Sequence, residues 1–169
     1  MRITIQEYNP DWQTQFENEK QQLLDVISVL DIQIEHIGST SVQGLGAKPV
    51  IDIMIGLKDF KSADILVPQI QQLGYEYISR HEGIMPYRKF FTKRQNGQPS
   101  HNIHLVEIRT EFWFRHLAFR NHLRNNMEDR DRYYQLKKEL AKREWNDGNE
   151  YANAKSEFIR LIEKRALAI

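Results

Sequence analysis

A continuous apolar run with one carboxylate inside it constrains the fold of this chain more than any other feature. Residues 50–57, VIDIMIGL, have the length and composition of a β-strand that is buried on both faces. Asp52 interrupts the run. Removing a carboxylate from water is costly unless a cation or hydrogen bonds compensate, so Asp52 needs a partner. An earlier β-branched run, Ile32–Ile37, is also typical of a strand, and we expect the two to be neighbours in one sheet.

Small and hydroxyl-bearing residues follow the first of these runs. Gly38 permits a close backbone approach, and Ser39 and Thr40 offer hydroxyl groups. Free N–H groups at the start of a short helix suit an anion, and Lys48 adds a positive charge. The combination predicts a phosphate cradle beside a carboxylate, Asp52, that can hold a metal. The alternative is that a hydroxyl caps a helix, Lys48 is solvated and Asp52 pairs with a structural arginine.

Length and composition limit the classes of protein. The 169 residues suit one domain, 1–169, with a proper core, and 40% hydrophobic and 28% charged residues are typical of a globular protein. A formal net charge of +1 argues against a general nucleic-acid binder or a membrane-surface protein. The chain has no cysteine, so it has neither disulfide nor thiolate chemistry. Because no apolar run approaches the about 20 residues of a membrane span and the start lacks a signal-peptide core, we expect a cytoplasmic protein without membrane contact.

Hydrophobic periodicity predicts a strand-rich half followed by a helical half. Predicted strands cover residues 2–7, 32–37, 50–57, 75–78, 87–93 and 100–108, and predicted helices cover 11–29, 58–73, 110–125, 128–145 and 150–168. Pro68 should kink or divide its helix, Asn96-Gly97 should form a hairpin turn, and Gly148-Asn149 should break the late helices. This order predicts an α+β fold, with a mixed sheet in residues 1–109 and helices in residues 110–169.

The string EHIGSTSVQGLGAKPVIDIMIGL, residues 35–57, resembles the signature of the GrpB family, also called UPF0157. Later pieces that fit the same family are Gly74-Tyr75, residues 101–104, residues 119–124, residues 134–137, and Tyr151 with Lys155. The resemblance thus covers nearly the whole chain. It implies a nucleotidyltransferase fold of the polymerase-β type. In that superfamily a Gly-Ser turn binds nucleotide phosphates, and acidic residues on neighbouring strands hold magnesium.

The chain departs from this pattern at one position. The superfamily places two acids two residues apart on the strand, so that both point to one face, and here the second position is Met54. A two-metal site needs several carboxylates. The sequence therefore predicts at most one weak site for Mg²⁺ or another divalent cation, held by Asp52 and tightened by the oxygens of a triphosphate.

Histidines and basic residues further along the chain are the other candidates. Strand alternation places Asn102 and His104 on one face and His101 on the other. If that face looks toward Asp52, His104 can ligate a metal or transfer a proton, and the alternative is a histidine that hydrogen-bonds in the core. Predicted phosphate-binding side chains, besides Gly38, Ser39, Thr40 and Lys48, are Arg120, Lys137 and Lys155. The alternative for these basic residues is a solvated helix face paired with glutamates.

Three functions are consistent with these features. The first is metal-dependent nucleotidyl or phosphoryl transfer, with Asp52 and His104 as the catalytic residues. The second is a binding module for a nucleotide or a phosphorylated small molecule, which the missing acid at Met54 favours. The third is a nucleic-acid accessory protein, which the balanced charge argues against and which we do not expect.

Overall fold

The computed structural model describes residues 1–167 and contains a five-stranded mixed sheet. The strands are β1 (Ile32–Ile37), β2 (Ile51–Leu57), β3 (Glu76–Ile78), β4 (Arg88–Gln95) and β5 (Gln98–Glu107), in the sheet order β1-β2-β5-β4-β3. Strand β2 is antiparallel to β1 and parallel to β5, and the remaining neighbours are antiparallel. The α+β class and the pairing of β1 with β2 are confirmed.

Five α-helices accompany the sheet within the described residues. They are α1 (Asp11–Val26), α2 (Ala63–Gln71), α3 (Glu111–Asn125), α4 (Met127–Ala141) and α5 (Gly148–Leu167). Thr110 caps α3 as predicted, because its hydroxyl accepts a hydrogen bond from the N–H of Trp113 at 3.5 Å. Residue 168, at the end of the last predicted helix, lies outside the described residues. No helix in the described part of the chain is long and apolar enough to cross a membrane.

The two faces of β2 pack against different helices. Ile51, Ile53 and Ile55 point into the main core, which α1 and α2 close with side chains such as Trp12 and Leu66. The alternating residues point to the opposite face, where α3 covers the end of the strand beyond Asp52. Asp52 lies near the beginning of β2, at the edge of the surface that α3 covers. The apolar pattern was therefore a correct indication of a strand buried on both faces.

Several predicted elements differ from the structure in detail. The predicted strand over residues 2–7 is wrong, because the segment forms a single bridge between Gln6 and Ala47. Pro68 does not divide α2, which stays one helix. The two late helices are separate as predicted, but the break lies at residues 142–147 and Gly148 begins α5, since a residue at a helix start needs no intrahelical partner for its N–H. The hairpin at Asn96 and Gly97 is confirmed, and both residues have positive φ, 52° and 77°. One domain over residues 1–169 stays a prediction.

Candidate functional site

The turn after β1 places backbone directly against the carboxylate of Asp52. Gly38 has φ 73°, and a Cβ atom on it would lie 2.8 Å from Oδ2 of Asp52. A larger residue would therefore be strained and would collide with the carboxylate. Ile37, the residue before this glycine, is the antiparallel partner of Asp52 across β1 and β2. Glycine at this position lets the turn and the acid approach each other.

The hydroxyl groups of the turn make different contacts. Ser41 donates to the carbonyl of Gly38 at 2.5 Å, and Thr40 donates to the carbonyl of Val50 at 3.4 Å. The Thr40 oxygen also lies 2.9 Å from Nε2 of the buried His36. These bonds hold the turn together and occupy the Thr40 hydroxyl, which was predicted to bind phosphate. Ser39, the first residue of the turn, lines the open cleft in front of Asp52.

Asp52 is accessible and lacks an arginine partner among residues 1–167. Its side chain is 32% exposed, and its Oδ1 accepts a hydrogen bond from Nδ2 of Asn102 at 3.3 Å. Nε2 of His104 lies 3.9 Å from the same oxygen. Strand register explains this cluster, since Asn102 is the direct neighbour of Asp52 on β5 and His104 follows two residues later on the same face. The structure thus brings Asp52 and His104 together.

A guanidinium group holds the ring of His104 in one orientation. Nη1 of Arg88 lies 3.1 Å from Nδ1 of His104. Because arginine only donates, Nδ1 accepts, and the proton of the neutral ring is on Nε2, facing Asp52. The lone pair of His104 is then engaged by Arg88. Metal ligation by His104 stays a prediction, and it requires this hydrogen bond to break.

Met54 occupies the place of the second acid and is sealed beneath α3. Its side chain is 0% exposed and packs with Ile37, Phe112 and Trp113. No group of three or more acidic, histidine or cysteine side chains within the described residues is arranged to hold a metal ion. Asp52 therefore offers a single carboxylate, and a divalent cation at this place stays a prediction.

Three lysines converge on the space in front of this carboxylate. We call the space the lysine cleft; it has a volume of about 810 Å³. Its wall near the acid contains Ser39, Thr40, Lys48, Asp52, Lys137, Tyr151 and Lys155. Lys137 comes from α4 and Lys155 from α5, so the cleft lies between the sheet and the late helices. Six of the predicted phosphate-binding and catalytic residues share this one wall.

Burial and the charge of a neighbouring lysine lower the pKa values of two of these ammonium groups. Burial, with a contribution from the charge of Lys155, lowers the pKa of Lys137 to about 6. Burial and the charge of Lys48 lower the pKa of Lys155 to about 8, and Asp52 counteracts this shift. Nζ of Lys137 donates to the carbonyl of Gly46 at 2.5 Å. An anion entering the cleft would relieve the repulsion and raise both pKa values.

The hydroxyl of Tyr151 is a buried polar group without a hydrogen-bond partner in the part of the chain that the structure describes. Tyr151 is 2% exposed and forms part of the cleft wall, where Nζ of Lys155 lies 4.5 Å from its ring centroid. Leaving such a donor unpaired costs about 1–3 kcal/mol. Orphaned buried donors are rare in native structures, so this hydroxyl is an unusual feature of the cleft wall.

Arg120 lies in a different cleft, on the far side of Thr40. It is 9% exposed, and its Nη1 donates to Oε2 of Glu35 at 2.6 Å and to the carbonyl of His36 at 3.1 Å. Nε donates to the side-chain oxygen of Asn121 at 3.0 Å. This second space, about 500 Å³, is lined by Arg120 and Arg124 but not by Asp52. The structure therefore does not bring Arg120 to the predicted phosphate site.

Comparison with known proteins identifies the family. A family model described as GrpB protein matches residues 2–165. The chain belongs to the GrpB family. A UPF0157 protein of Halalkalibacterium halodurans is 37% identical over 166 residues, which are 98% of this chain and 83% of that protein. The glutamate-rich protein GrpB of Alkalihalophilus pseudofirmus is 31% identical over 163 residues, 95% of this chain and 93% of that protein.

Solved structures confirm the fold. The crystal structure of conserved protein GrpB from Enterococcus faecalis has a TM-score of 0.87 and 36% identity, and the match covers 98% of each chain. The Cid1 poly(U) polymerase in its MgGTP-bound form has a TM-score of 0.56 and 14% identity, with 83% of this chain and 45% of that chain covered. At this identity the second likeness concerns the fold alone. The predicted nucleotidyltransferase type of sheet is confirmed.

Sequence reasoning missed some residues of the site. The helical spacing of Lys137 and Lys155 after tyrosines pointed to the two lysines, but Tyr133 and Tyr151, four residues before them, were given no role of their own. Nζ of Lys137 lies 4.9 Å from the ring centroid of Tyr133, which repeats the arrangement of Lys155 over Tyr151. Strand alternation left Arg88 and Lys89 as alternatives for the side chain that points across the His104 face, and the register of β4 against β5 selects Arg88.

Proposed function

We propose that this chain binds a nucleotide or another phosphorylated small molecule, with the phosphate groups in the lysine cleft. The observation that carries the proposal is the convergence of Lys48, Lys137 and Lys155 on one space, whose wall also includes Tyr151. Burial and neighbouring positive charge lower the pKa values of two of the lysines, and an anion beside them would favour their charged forms. Ser39 adds a hydroxyl at the same wall.

A divalent cation, Mg²⁺ in the first place, fits this proposal as a companion of the ligand. Asp52 would supply one carboxylate oxygen, and phosphate oxygens and waters would complete the shell that magnesium prefers. The cation would supply charge neutralisation on the phosphate groups. Asn102 and His104 would keep the Asp52 carboxylate in place, because one donates to it and the other lies beside it.

Nucleotidyl transfer is the catalytic form of the same proposal. An acceptor oxygen would bond to the α-phosphorus of a nucleoside triphosphate, the bond from that phosphorus to the bridging oxygen would break, and pyrophosphate would leave. Asp52, with His104 beside it, is the base at that point of the cleft that can take the acceptor proton. Likeness of the fold to the Cid1 poly(U) polymerase supports this form.

Binding without turnover is the second candidate, and Met54 favours it. The second acid of the transferase pattern is replaced by a side chain that is buried in an apolar cluster. A site with one carboxylate and three lysines is better suited to holding phosphate groups than to assembling two metal ions. The two candidates share the lysine cleft and differ in whether a bound triphosphate is cleaved.

Isothermal titration calorimetry with inorganic tripolyphosphate tests the shared part. The unmodified chain should bind it, and the double variant Lys137→Met, Lys155→Met should bind at least about tenfold more weakly. Lys142→Met is the matched control, because Lys142 is exposed and pairs with Glu139 outside the cleft. Equal affinity in the double variant would refute the site. Release of pyrophosphate from ATP, measured with a range of acceptor alcohols, separates the transferase from the binding module.

A further inference from the structure

The open face of the sheet continues the lysine cleft away from the phosphate site. Register places Asp52, Asn102, Thr92 and Glu76 in one row across β2, β5, β4 and β3. Asn102, Thr92 and Glu76 all line the lysine cleft. A carboxylate, an amide, a hydroxyl and a second carboxylate thus succeed one another along the cleft wall, with Thr92 buried and Glu76 exposed. Such a row suits a ligand group that both donates and accepts hydrogen bonds.

A second row runs beside the first and is mostly apolar. It consists of Met54, His104, Phe90 and Ile78 on the same four strands. Phe90 and Ile78 line the lysine cleft, and Phe90 is half-buried, with its ring centroid 5.2 Å from that of His104. A half-buried aromatic ring at the wall of a polar cleft suits a planar group that can stack on it.

The apolar row lies at a useful distance from Asp52. Phe90 is two strands away and two residues further along, so with about 4.8 Å between strands and about 3.4 Å per residue the backbone separation is about 12 Å. An extended nucleotide spans this distance between its phosphate groups and its base. A simple sugar phosphate carries hydroxyl groups for the polar row but has no planar group for Phe90.

We infer that the ligand is a nucleoside phosphate, whose sugar lies along the polar row Asn102–Thr92–Glu76 and whose base lies against Phe90. This inference rests on the proposed function, since it assumes that the lysines hold the phosphate groups. It narrows that function from phosphorylated small molecules in general to nucleotides. It also assigns a specificity role to the sheet face, which is separate from the turn and the lysines.

Calorimetry with two probes tests the inference. ATP and inorganic tripolyphosphate, titrated at the same magnesium concentration, share the triphosphate and differ in the nucleoside. We expect ATP to bind the unmodified chain at least about tenfold more tightly, as base stacking on an aromatic ring provides. Phe90→Ala should lose most of this advantage and keep its affinity for tripolyphosphate, which also shows that the cleft is intact.

Two further variants make the result specific. Phe90→Leu keeps most of the volume without an aromatic face, so it should fold and still lose most of the ATP advantage. Phe114→Ala is the matched control, because Phe114 is an exposed ring on α3 that does not line the lysine cleft. Its preference for ATP should equal that of the unmodified chain.

The possible failures are distinguishable. If the unmodified chain binds both probes equally, or if Phe90→Leu keeps the full ATP advantage, the inference is overturned while the phosphate site stands. If the unmodified chain binds neither probe, the proposed function is overturned, and the inference with it.

Discussion

Lys137 and Lys155 line the same wall of the lysine cleft, one from α4 and one from α5. Burial is the larger cause of the low pKa of Lys137, about 6, and the charge of Lys155 adds to it. The folded chain without ligand therefore holds Lys137 neutral at pH values where the unfolded chain holds it protonated. This difference makes the stability of the protein depend on pH.

We expect the free energy of unfolding to rise with pH between about 6 and 10 through Lys137. The unfolded chain binds more protons than the folded chain in this window, so raising the pH favours folding, by at most about 1.4 kcal/mol per pH unit. Lys137→Met should flatten the rise, and Lys142→Met should leave it intact. Urea unfolding at a series of pH values measures the difference, and a profile of Lys137→Met with the slope of the unmodified chain would contradict the low pKa.

The unpaired hydroxyl of Tyr151 leads to a second prediction. Tyr151→Phe removes a buried donor that has no partner in residues 1–167, so the free chain should keep its stability or gain up to about 1–3 kcal/mol. The same variant should bind tripolyphosphate about tenfold more weakly, because a hydrogen bond to a charged oxygen is lost. Thermal unfolding and calorimetry give the two values. Tyr134→Phe, on the neighbouring helix α4, is the control. A destabilised Tyr151→Phe variant would show that the hydroxyl has a hydrogen-bond partner inside the protein.

The carboxylate of Asp52 should couple magnesium to the nucleotide. In the free protein we expect little affinity for magnesium, since one carboxylate is a poor set of ligands. A non-hydrolysable ATP analogue should raise that affinity about tenfold or more, and Asp52→Asn should abolish the increase. Asp25→Asn, an exposed site on α1, should keep it. If magnesium and the analogue each bind with the same affinity in the presence and in the absence of the other, the result would contradict the transferase form of the proposal.

Restoring the missing acid should harm the fold. Met54→Asp places a carboxylate in a fully buried cluster with Phe112 and Trp113, and we expect a loss of about 3 kcal/mol or more in the free energy of unfolding. Met54→Leu, which conserves volume, should lose less than about 1.5 kcal/mol. Urea unfolding distinguishes them. A stable Met54→Asp variant that binds magnesium tightly would instead show that α3 can move to accommodate the carboxylate.

Local pattern was sufficient to predict the centre of the fold. The bounds of β1 agree with the prediction, and β2 begins one residue later than predicted. These strands are β-branched, apolar and bounded by a glycine turn, so local signals and the final packing agree. The segment over residues 2–7 alternates as well, but it finds no strand beside it except at Gln6. Alternation alone does not determine whether a strand has a partner.

The sequence was sufficient to predict most of the candidate residues, but not which of them lie together in the structure. Ser39, Lys48 and Asp52 lie within one short stretch, and Lys137 and Lys155 share a tyrosine spacing that drew attention to them. Arg120 belonged to the family-like string but turned toward Glu35, because its helix crosses the edge of β1 there. The way a helix docks against the sheet determines which cleft its side chains enter, and sequence spacing carries no information on this docking.

The lysine cleft takes its acid and its turn from the first half of the chain and two of its lysines from the second half. A ribosome makes the first half earlier, so the sheet can pair before α5 exists, but the proposed phosphate site is incomplete until the last helix has docked. Any ligand of this cleft then binds the finished structure and not its precursors, and mass action shifts the balance toward the finished form. The abundance of the ligand in the cell would thus help to determine how much of the newly made protein survives.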